Sequence, residues 1–274
     1  MERELEVAGL LAREAGGLIL GYFKKGLAVE AKDNDEPVTL ADRQASEFIV
    51  GGLQKAFPSD LIISEEAAPD LKRLVTAQRV WFVDPLDGTK EFIRGLTNFS
   101  VLIGLCVEGV PSLGVVYQPI GDVLYRAAPR HPAEQIDQRG ATRLRVSTVS
   151  AVSQARLTVS ESDRRPVLDD IKHNLGIEKE HPMGSVGLKF CMIANQNADL
   201  YINPTAGAKA WDTCASAAIL TSAGGQVSDV FGTPLLYRDP ELWHTRGIVA
   251  SNGFLHASAI GATRAVFEGK TQLD

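Results

Sequence analysis

Two aspartates, Asp84 and Asp87, lie three residues apart in the segment WFVDPLDGTKEF, directly after an apolar stretch typical of a buried strand. A second pair of acids, Glu65 and Glu66, follows the preceding apolar stretch, DLIIS. If the two strands are neighbours, these carboxylates meet at one sheet edge, where unpaired they would repel each other and be costly to desolvate. A hard divalent cation removes that repulsion, and Mg²⁺ prefers oxygen ligands completed by water and substrate phosphate. The pattern predicts a metal site for phosphoryl hydrolysis, with room for two ions about 3.5–4 Å apart.

The order of the acids excludes one other phosphatase chemistry. Phosphatases with an aspartyl nucleophile need the pattern Asp-x-Asp-Gly-Thr, and here Pro85 occupies the position two before Asp87. The sequence also contains neither a G-x-S-x-G nucleophile elbow nor a P-loop. We therefore expect water, activated by metal ions, to be the nucleophile.

Each acidic residue also has a purely structural interpretation. Asp87-Gly88 is a common turn pair, and acids at strand ends are often solvated. The segment TLAD resembles a capping box, with Thr39 as N-cap and Asp42 at N3. Asp212, at the start of a predicted helix, could complement the helix dipole. The joint occurrence of all these acids favours a functional site.

Hydrophobic periodicity predicts the elements that position the acids. Helices are predicted over residues 3–24, 40–57, 189–196 and 212–224. Strands are predicted over residues 60–64, 79–83, 155–160 and 198–203, with an antiparallel meander over 98–127. Runs of strands broken by helix pairs predict an α+β layered sandwich.

Two further structural predictions concern the second helix and the domain boundary. The second helix is expected to turn Phe48, Ile49 and Leu53 inward. Residues 128–154 are polar and mixed, which marks a subdomain boundary. We expect an N-terminal subdomain (1–140) with most of the metal ligands and a C-terminal subdomain (141–274) that completes the active site.

Length and composition limit the class of protein. The chain has 274 residues, 45% hydrophobic and 23% charged, which fits a soluble globular protein with a sizeable core. The formal net charge of −6 argues against unaided binding to nucleic acid or anionic lipid. No apolar run approaches the roughly 20 residues of a membrane span, and the acidic N-terminus is unlike a signal peptide. The three cysteines match no disulfide or zinc pattern and favour reduced thiols. We expect a cytoplasmic location, compatible with peripheral association with a membrane.

Three motifs together resemble those of the inositol monophosphatase superfamily of magnesium-dependent, lithium-sensitive phosphatases. They are SEE at 64–66, DPLDGT at 84–89 and AWDTCASAAILTSAGG at 210–225, in that order. The resemblance spans nearly the whole chain and implies an αβαβα sandwich, two or three Mg²⁺ ions and inhibition by Li⁺. The metal ligands that it implies are the side chains of Glu65, Asp84, Asp87 and Asp212 and the backbone carbonyl of Leu86.

The same resemblance implies roles for residues around the metals. Asp42 and Thr89 would position and deprotonate the attacking water, because a threonine hydroxyl bonded to a carboxylate can pass a proton on. Glu66 would lie outside the direct ligands. Substrate contacts are implied for a further set: Gly88, Lys90, Ser160, Ser185 and Lys189.

Finer features resemble the CysQ-type 3′(2′),5′-bisphosphate nucleotidase branch. This chain has GTKEF where inositol monophosphatases usually have Thr-Asn-Phe after Gly-Thr, and GLKFCMIANQNADLY carries Lys189 as a phosphate-binding residue. The substrate implied is adenosine 3′,5′-bisphosphate, hydrolysed to AMP and phosphate, with its sulfated relative PAPS as another. One departure is SESD at 160–163, where the branch often has Ser-Arg-Ser-His. Glu161 and Asp163 should weaken binding of the second phosphate, although Arg164 and Arg165 could compensate.

Three other functions compete with this interpretation. A phosphatase of inositol or another polyol monophosphate would share the metal chemistry, and Glu161 and Asp163 favour it slightly. A non-catalytic ligand-binding member is disfavoured because every predicted metal ligand is present. A two-metal nuclease is disfavoured by the net acidity and the lack of a basic stripe. We therefore expect a small phosphorylated substrate, no nucleic-acid partner, and either a monomer or a homodimer.

Overall fold

The fold alternates layers of helices and sheets. The computed structural model describes residues 1–23, 29–31, 37–162, 165–238 and 242–267. Its helices are α1 (Glu2–Phe23), α2 (Leu40–Ala56), α3 (Leu71–Leu74), α4 (Thr89–Ile93), α5 (Pro166–Leu175), α6 (Val186–Ala194), α7 (Ala210–Ser222) and α8 (His256–Val266), with a 3₁₀ turn at Val152–Gln154. Its strands are β1 (Val29–Ala31), β2 (Pro37–Thr39), β3 (Leu61–Ser64), β4 (Arg79–Asp87), β5 (Ser100–Val107), β6 (Val110–Gln118), β7 (Val123–Ala128), β8 (His131–Asp137), β9 (Gly140–Arg143), β10 (Arg156–Ser160), β11 (Lys179–Met183), β12 (Leu200–Asn203), β13 (Gln226–Ser228) and β14 (Ile248–Ser251).

Five layers stack on one another. Helices α1 and α2 pack on one face of a seven-stranded sheet, and α6 and α7 cover its other face. The same two helices contact a five-stranded sheet, whose far face is covered by α5 and α8. The predicted αβαβα sandwich is confirmed. Within α2, Ile49 and Leu53 are buried as predicted, whereas Phe48 is 37% exposed because it lies beside the inward stripe.

The seven-stranded sheet has the order β3-β4-β5-β6-β7-β8-β9. Strands β3 and β4 pair in parallel, and every later pair is antiparallel. The predicted meander is confirmed, and it continues beyond residue 127 through β8 and β9, which the sequence did not predict. These last strands are half-exposed or exposed, so they lack an apolar pattern. The division into subdomains stays a prediction, although the chain changes sheet between Arg143 and Arg156.

The five-stranded sheet has the order β11-β10-β12-β14-β13. Strands β11, β10 and β12 are parallel, and β14 and β13 are antiparallel to their neighbours. The sequence predicted β10 and β12 but not the other three strands, nor α5 and α8. Strand β11 reads KEHPM and is largely exposed, so hydrophobic periodicity gives no signal there.

Two glycines allow α7 to lie against the large sheet. Gly104 and Gly114 are partners on neighbouring strands, and both face Ala215. A Cβ atom on Gly104 would lie 2.6 Å from the Ala215 nitrogen, and one on Gly114 would lie 1.9 Å from the Ala215 carbonyl oxygen. Any larger side chain would therefore lift α7, and with it Asp212 in its first turn.

Two predictions about the environment of the chain can be compared with the structure. No helix within the described ranges is long and apolar enough to cross a membrane. Cys106, Cys191 and Cys214 are buried free thiols, in agreement with the expectation of reduced cysteines.

Candidate active site

Three carboxylates converge at the edge of the large sheet. Because β3 and β4 are parallel neighbours, their carboxyl ends place Glu65 and Asp84 together, and the Glu65 amide donates to the Val83 carbonyl at 3.1 Å. Asp212 reaches the same point from the first turn of α7. One carboxylate oxygen from each of Glu65, Asp84 and Asp212 lies within 4.8 Å of the others. The predicted meeting of these three side chains is observed, and the group could hold a metal ion.

Burial makes this carboxylate group electrostatically unfavourable without a cation. Burial raises the pKa of Asp84 well above its usual range, and the nearby charges of Glu65, Asp87 and Asp212 raise it further. Burial also raises the pKa of Asp212 well above its usual range, with Glu65 and Asp87 adding to the effect. A bound divalent cation would reverse this balance, because it stabilises the ionised form of every ligand. The donor set is entirely oxygen, which suits Mg²⁺.

Asp87 is held by the N-terminus of α6. Its Oδ2 accepts hydrogen bonds from the Ser185 hydroxyl at 2.5 Å and the Gly187 amide at 2.7 Å, and its Oδ1 accepts from the Val186 amide at 3.1 Å. Burial raises the pKa of Asp87, and these hydrogen bonds and the charge of Lys189 partly offset that rise. A carboxylate has about four lone-pair sites, so one is left for a cation. The ligand role of Asp87 stays a prediction.

A register shift in β4 brings Leu86 and Thr89 into the site. The shift lies between Asp84 and Asp87, and the Leu86 amide donates to Asp84 Oδ1 at 3.0 Å. The Leu86 carbonyl accepts from the Thr89 hydroxyl at 2.9 Å, so its predicted role as a metal ligand would be shared with this bond. Gly88 has φ +96°, a left-handed conformation that favours glycine, and it precedes α4.

The predicted water-activating pair lies beside the carboxylates. The Thr89 hydroxyl is 3.3 Å from Asp42 Oδ1, although the two residues are 47 positions apart. Asp42 is 3% exposed, in the first turn of α2. It therefore faces the site, as its catalytic interpretation requires. The capping role considered for Thr39 concerns a side chain outside the described residues.

A cavity of about 360 Å³ opens next to the acid cluster. Asp212 lines it and also belongs to the cluster, so the two form one site. Three predicted substrate-binding residues, Lys90, Ser160 and Lys189, line the cavity. Their contact with substrate stays a prediction. Glu66 is half-buried and outside the group of three converging carboxylates.

Ser185 is not among the residues that line this cavity, and its predicted substrate contact stays a prediction. Its side chain is fully buried, and its hydroxyl already has three partners. It donates to Asp87, accepts from the Leu188 amide at 2.9 Å as the N-cap of α6, and lies 2.8 Å from the Ser100 hydroxyl. Because a hydroxyl has one hydrogen, Ser100 must donate to Ser185. Ser185 therefore positions Asp87 and α6.

The structure accounts for the acidic residue Glu161 within SESD and for Arg165, which lies two residues after that segment. Glu161 Oε2 accepts a hydrogen bond at 2.8 Å from the side-chain amide nitrogen of Asn98. Glu161 is not among the residues that line the cavity. Arg165 lines the cavity, so a basic side chain is retained close to the altered segment. Asp163 and Arg164 lie outside the described residues.

Sequence reasoning missed part of the cavity wall. Tyr201, Asn203 and the segment 205–208 follow or belong to β12, and Trp243 precedes β14. Tyr201 ends the segment GLKFCMIANQNADLY, but no motif assigned it or the others to a binding site. The only available signal was that ligands collect beyond the carboxyl ends of parallel strands, which here are the ends of β11, β10 and β12.

The fold and the site define an α+β layered protein with a candidate metal centre beside a basic cavity. The model of the inositol monophosphatase family matches residues 1–268, and the chain belongs to this family. It is 37% identical over 248 residues to the 3′(2′),5′-bisphosphate nucleotidase CysQ of Escherichia coli K12, covering 88% of this chain and 96% of that protein.

Solved structures agree with this assignment. The chain resembles the IMPase of Thermotoga maritima with a TM-score of 0.83 and 25% identity, over 98% of this chain and 99% of that one. It resembles CysQ from Bacteroides thetaiotaomicron, a bacterial member of the inositol monophosphatase family, with a TM-score of 0.78 and 27% identity, over 90% and 96%. The family and fold predicted from the motifs are confirmed.

Proposed function

We propose that the protein is a Mg²⁺-dependent phosphomonoesterase that removes the 3′-phosphate of adenosine 3′,5′-bisphosphate and releases AMP and phosphate. The observation that carries this proposal is the juxtaposition of a carboxylate cluster with a cavity lined by Lys90, Arg165 and Lys189. The first suits a metal-assisted attack on one phosphate, and the second suits another phosphate on the same substrate. The similarity to CysQ nucleotidases supports the same conclusion. PAPS, which also carries a 3′-phosphate, would be hydrolysed to APS.

Separate groups of residues would hold the metal ion and activate the attacking water. Glu65, Asp84 and Asp212 would hold Mg²⁺, with Asp87 and the Leu86 carbonyl as additional ligands. When bound, Mg²⁺ supplies positive charge that acidifies water and stabilises the leaving oxygen. Thr89 would take a proton from the attacking water and pass its own to Asp42 Oδ1, 3.3 Å away, which requires its one hydroxyl hydrogen to turn from the Leu86 carbonyl to Asp42.

The basic residues around the cavity favour a bisphosphate. Lys189 is almost fully buried, and its ammonium group donates to the Gly184 carbonyl at 2.6 Å, which fixes its position at the wall. Arg165 and Lys90 add two cationic side chains to the same wall. In a chain of net charge −6, such a local cluster provides the positive potential that a highly anionic substrate needs.

A polyol or inositol monophosphate phosphatase is the second candidate, and the similarity to the Thermotoga maritima IMPase favours it. It would use the same carboxylates, Asp42 and Thr89. The two candidates differ in what the basic cavity binds, because a monophosphate leaves Arg165 without a phosphate partner. If the substrate is a bisphosphorylated nucleoside, the enzyme would act in the cytoplasm, because such nucleotides are formed there.

Phosphate release in the presence of Mg²⁺ tests the proposal. The substrates are adenosine 3′,5′-bisphosphate, adenosine 2′,5′-bisphosphate, adenosine 3′-phosphate, inositol 1-phosphate and fructose 1,6-bisphosphate, each with and without Li⁺. We expect a preference for the nucleoside bisphosphates and inhibition by Li⁺. Preference for inositol 1-phosphate would overturn the proposal in favour of the second candidate.

The variant Arg165→Ala tests whether Arg165 binds the 5′-phosphate, the phosphate that is not hydrolysed. Loss of a charged hydrogen bond should raise KM about tenfold for adenosine 3′,5′-bisphosphate. The KM for adenosine 3′-phosphate, which lacks the 5′-phosphate, should change much less. Arg139→Ala is the matched control, because Arg139 is highly exposed and pairs with Asp137 away from the cavity. Equal effects of Arg165→Ala on both substrates would contradict the assignment.

A further inference from the structure

Trp243 lies on a short extended segment that is fixed next to the candidate metal centre. The Ala210 amide donates to the Leu242 carbonyl at 2.8 Å, and the His244 amide donates to the Ala208 carbonyl at 2.8 Å. Lys209 and Trp243 are therefore partners in an antiparallel bridge. The Lys209 amide in turn donates to Asp212 Oδ2 at 2.8 Å, so one hydrogen-bonded unit links Trp243 to the carboxylate cluster.

In an extended segment, successive side chains point to opposite sides, and this determines the direction of the Trp243 indole. Leu242 and His244 are each 6% exposed, whereas Trp243 between them is 43% exposed. His244 is anchored from behind, because its Nε2 lies 2.7 Å from the hydroxyl of Thr213 in α7. The Trp243 side chain consequently faces outward, where it lines the cavity together with Asp212 and also borders a second cavity of about 150 Å³.

The indole is an aromatic surface of fixed position. The Lys209 ammonium lies 4.6 Å from the centroid of the Trp243 ring and 5.3 Å from that of Trp211. Such cation–π contacts restrict the rotation of the indole. A large aromatic side chain that is held in place and still exposed at a cavity is suited to stacking on a planar ligand.

The sheet order separates this aromatic surface from the cationic part of the cavity. Gly184 follows β11, Ser160 ends β10 and Asn203 ends β12, and these strands are neighbours in that order. Arg165 and Lys189 belong to the segments around β10 and β11, whereas Trp243 is bonded to the segment that follows β12. Arg165 and Trp243 therefore come to the cavity from different ends of this strand order, with the Lys189 ammonium between them, 5.4 Å from the centroid of the Tyr201 ring in β12.

We propose that Trp243 is the stacking platform for the nucleobase of the substrate and so determines the preference for nucleotides over base-free phosphates. This inference rests on the proposed function, since it assigns the part of that substrate which the metal and the basic residues leave unbound. Stacking on an aromatic side chain is insensitive to the identity of the base, so other purine bisphosphates should also bind.

Steady-state kinetics of Trp243→Ala, Trp243→Phe and wild type test the proposal. The substrates are adenosine 3′,5′-bisphosphate and its base-free counterpart, 1-O-methylribose 3,5-bisphosphate. With Trp243→Ala we expect KM to rise roughly tenfold or more for the nucleotide and less than about twofold for the base-free compound. Trp243→Phe should recover most of the loss. Phe254→Ala, which removes a 59% exposed aromatic residue outside the cavity, should behave as wild type.

The experiment distinguishes a failure of the stacking proposal from a failure of the proposed function. If wild type hydrolyses the nucleotide but Trp243→Ala changes KM equally for both substrates, or for neither, the stacking proposal is wrong and the proposed function stands. If wild type prefers base-free phosphates, the proposed function itself fails. Thermal unfolding of each variant separates a local loss of contact from a loss of folded protein.

Fluorescence gives an independent measurement of binding. Trp243 is the exposed one of the three tryptophans, whereas Trp81 and Trp211 are buried. Because Trp211 adjoins Asp212 and also contacts Lys209, the contribution of Trp243 is taken as the difference between wild type and Trp243→Phe. We expect AMP to quench the emission of wild type in a saturable manner and that of Trp243→Phe much less. Equal quenching of both proteins would contradict stacking on Trp243.

Discussion

Replacing Ser185 by alanine distinguishes a residue that positions Asp87 from one that contacts substrate. The change removes the N-cap of α6, which costs about 1 kcal/mol. It also removes a hydrogen bond to a carboxylate, which costs about 1.5–3 kcal/mol. Asp87 keeps its two amide donors, so the two contributions together give an expected loss of about 2.5–4 kcal/mol in the free energy of unfolding. For a domain of this size, that corresponds to a fall in Tm of roughly 5–16 °C.

The same change should weaken metal binding. A side chain that orients a metal ligand typically contributes 10- to 100-fold to affinity or activity, so the Mg²⁺ concentration for half-maximal activity should rise about tenfold. The KM for substrate at saturating Mg²⁺ should stay within about twofold of wild type. Calorimetric unfolding and a Mg²⁺ titration of phosphate release measure the two effects.

Ser100→Ala is the matched control for this experiment. It removes the hydroxyl that donates to Ser185 but leaves the N-cap and the bond to Asp87 intact. We expect a loss of about 1 kcal/mol and little change in Mg²⁺ dependence. The reasoning would be refuted if Ser185→Ala kept its stability and its Mg²⁺ dependence while its KM rose, because Ser185 would then contact the substrate directly.

Three further predictions follow from individual contacts. Gly114→Ala should destabilise the fold by about 3 kcal/mol, because its Cβ would collide with the α7 backbone; Gly51→Ala, with no neighbour within 4 Å of the added atom, should be neutral or slightly stabilising in urea unfolding. Burial raises the pKa of Asp199, but hydrogen bonds from Arg156 and other donors lower it below its usual value overall. Asp199→Asn should therefore cost about 2–3 kcal/mol at pH 7. The deficit should begin to shrink near pH 4, where the unfolded wild-type chain takes up the proton, and should fall further as the pH drops through the lower pKa of the folded protein; a pH-independent deficit would be the contrary result. Thr89→Val should lower kcat by about 100-fold or more without changing Tm appreciably. Thr89→Ser keeps the hydroxyl and should retain most of the activity. Comparable activity of the two variants would exclude a role for the hydroxyl.

The sequence predicted the carboxylate site well because its geometry depends on strand ends. Glu65 and Asp84 follow or end two adjacent apolar strands, and parallel pairing necessarily brings such ends together. Asp42 and Thr89 could not be placed by spacing, since only the tertiary packing of α2 on the large sheet brings them within reach. Their roles depended on the family resemblance.

The cavity was less accessible to sequence reasoning. Arg165 and Trp243 belong to no motif, and their proximity depends on the order of strands in the small sheet. The predicted substrate contact of Ser185 stays a prediction, because a motif cannot show whether a hydroxyl faces the cavity or the interior. Strands β8, β9 and β11 escaped prediction because they are exposed and rich in polar residues.

The central claim is that the carboxylate cluster performs phosphate release through a divalent cation. The most direct measurement is phosphate release from adenosine 3′,5′-bisphosphate by metal-stripped protein, titrated with Mg²⁺ and compared with Asp84→Asn. We predict no turnover in chelator, full recovery with Mg²⁺, and no recovery in the variant, although it remains folded by circular dichroism. Turnover by the stripped wild type, or full Mg²⁺-dependent activity of Asp84→Asn, would contradict this account.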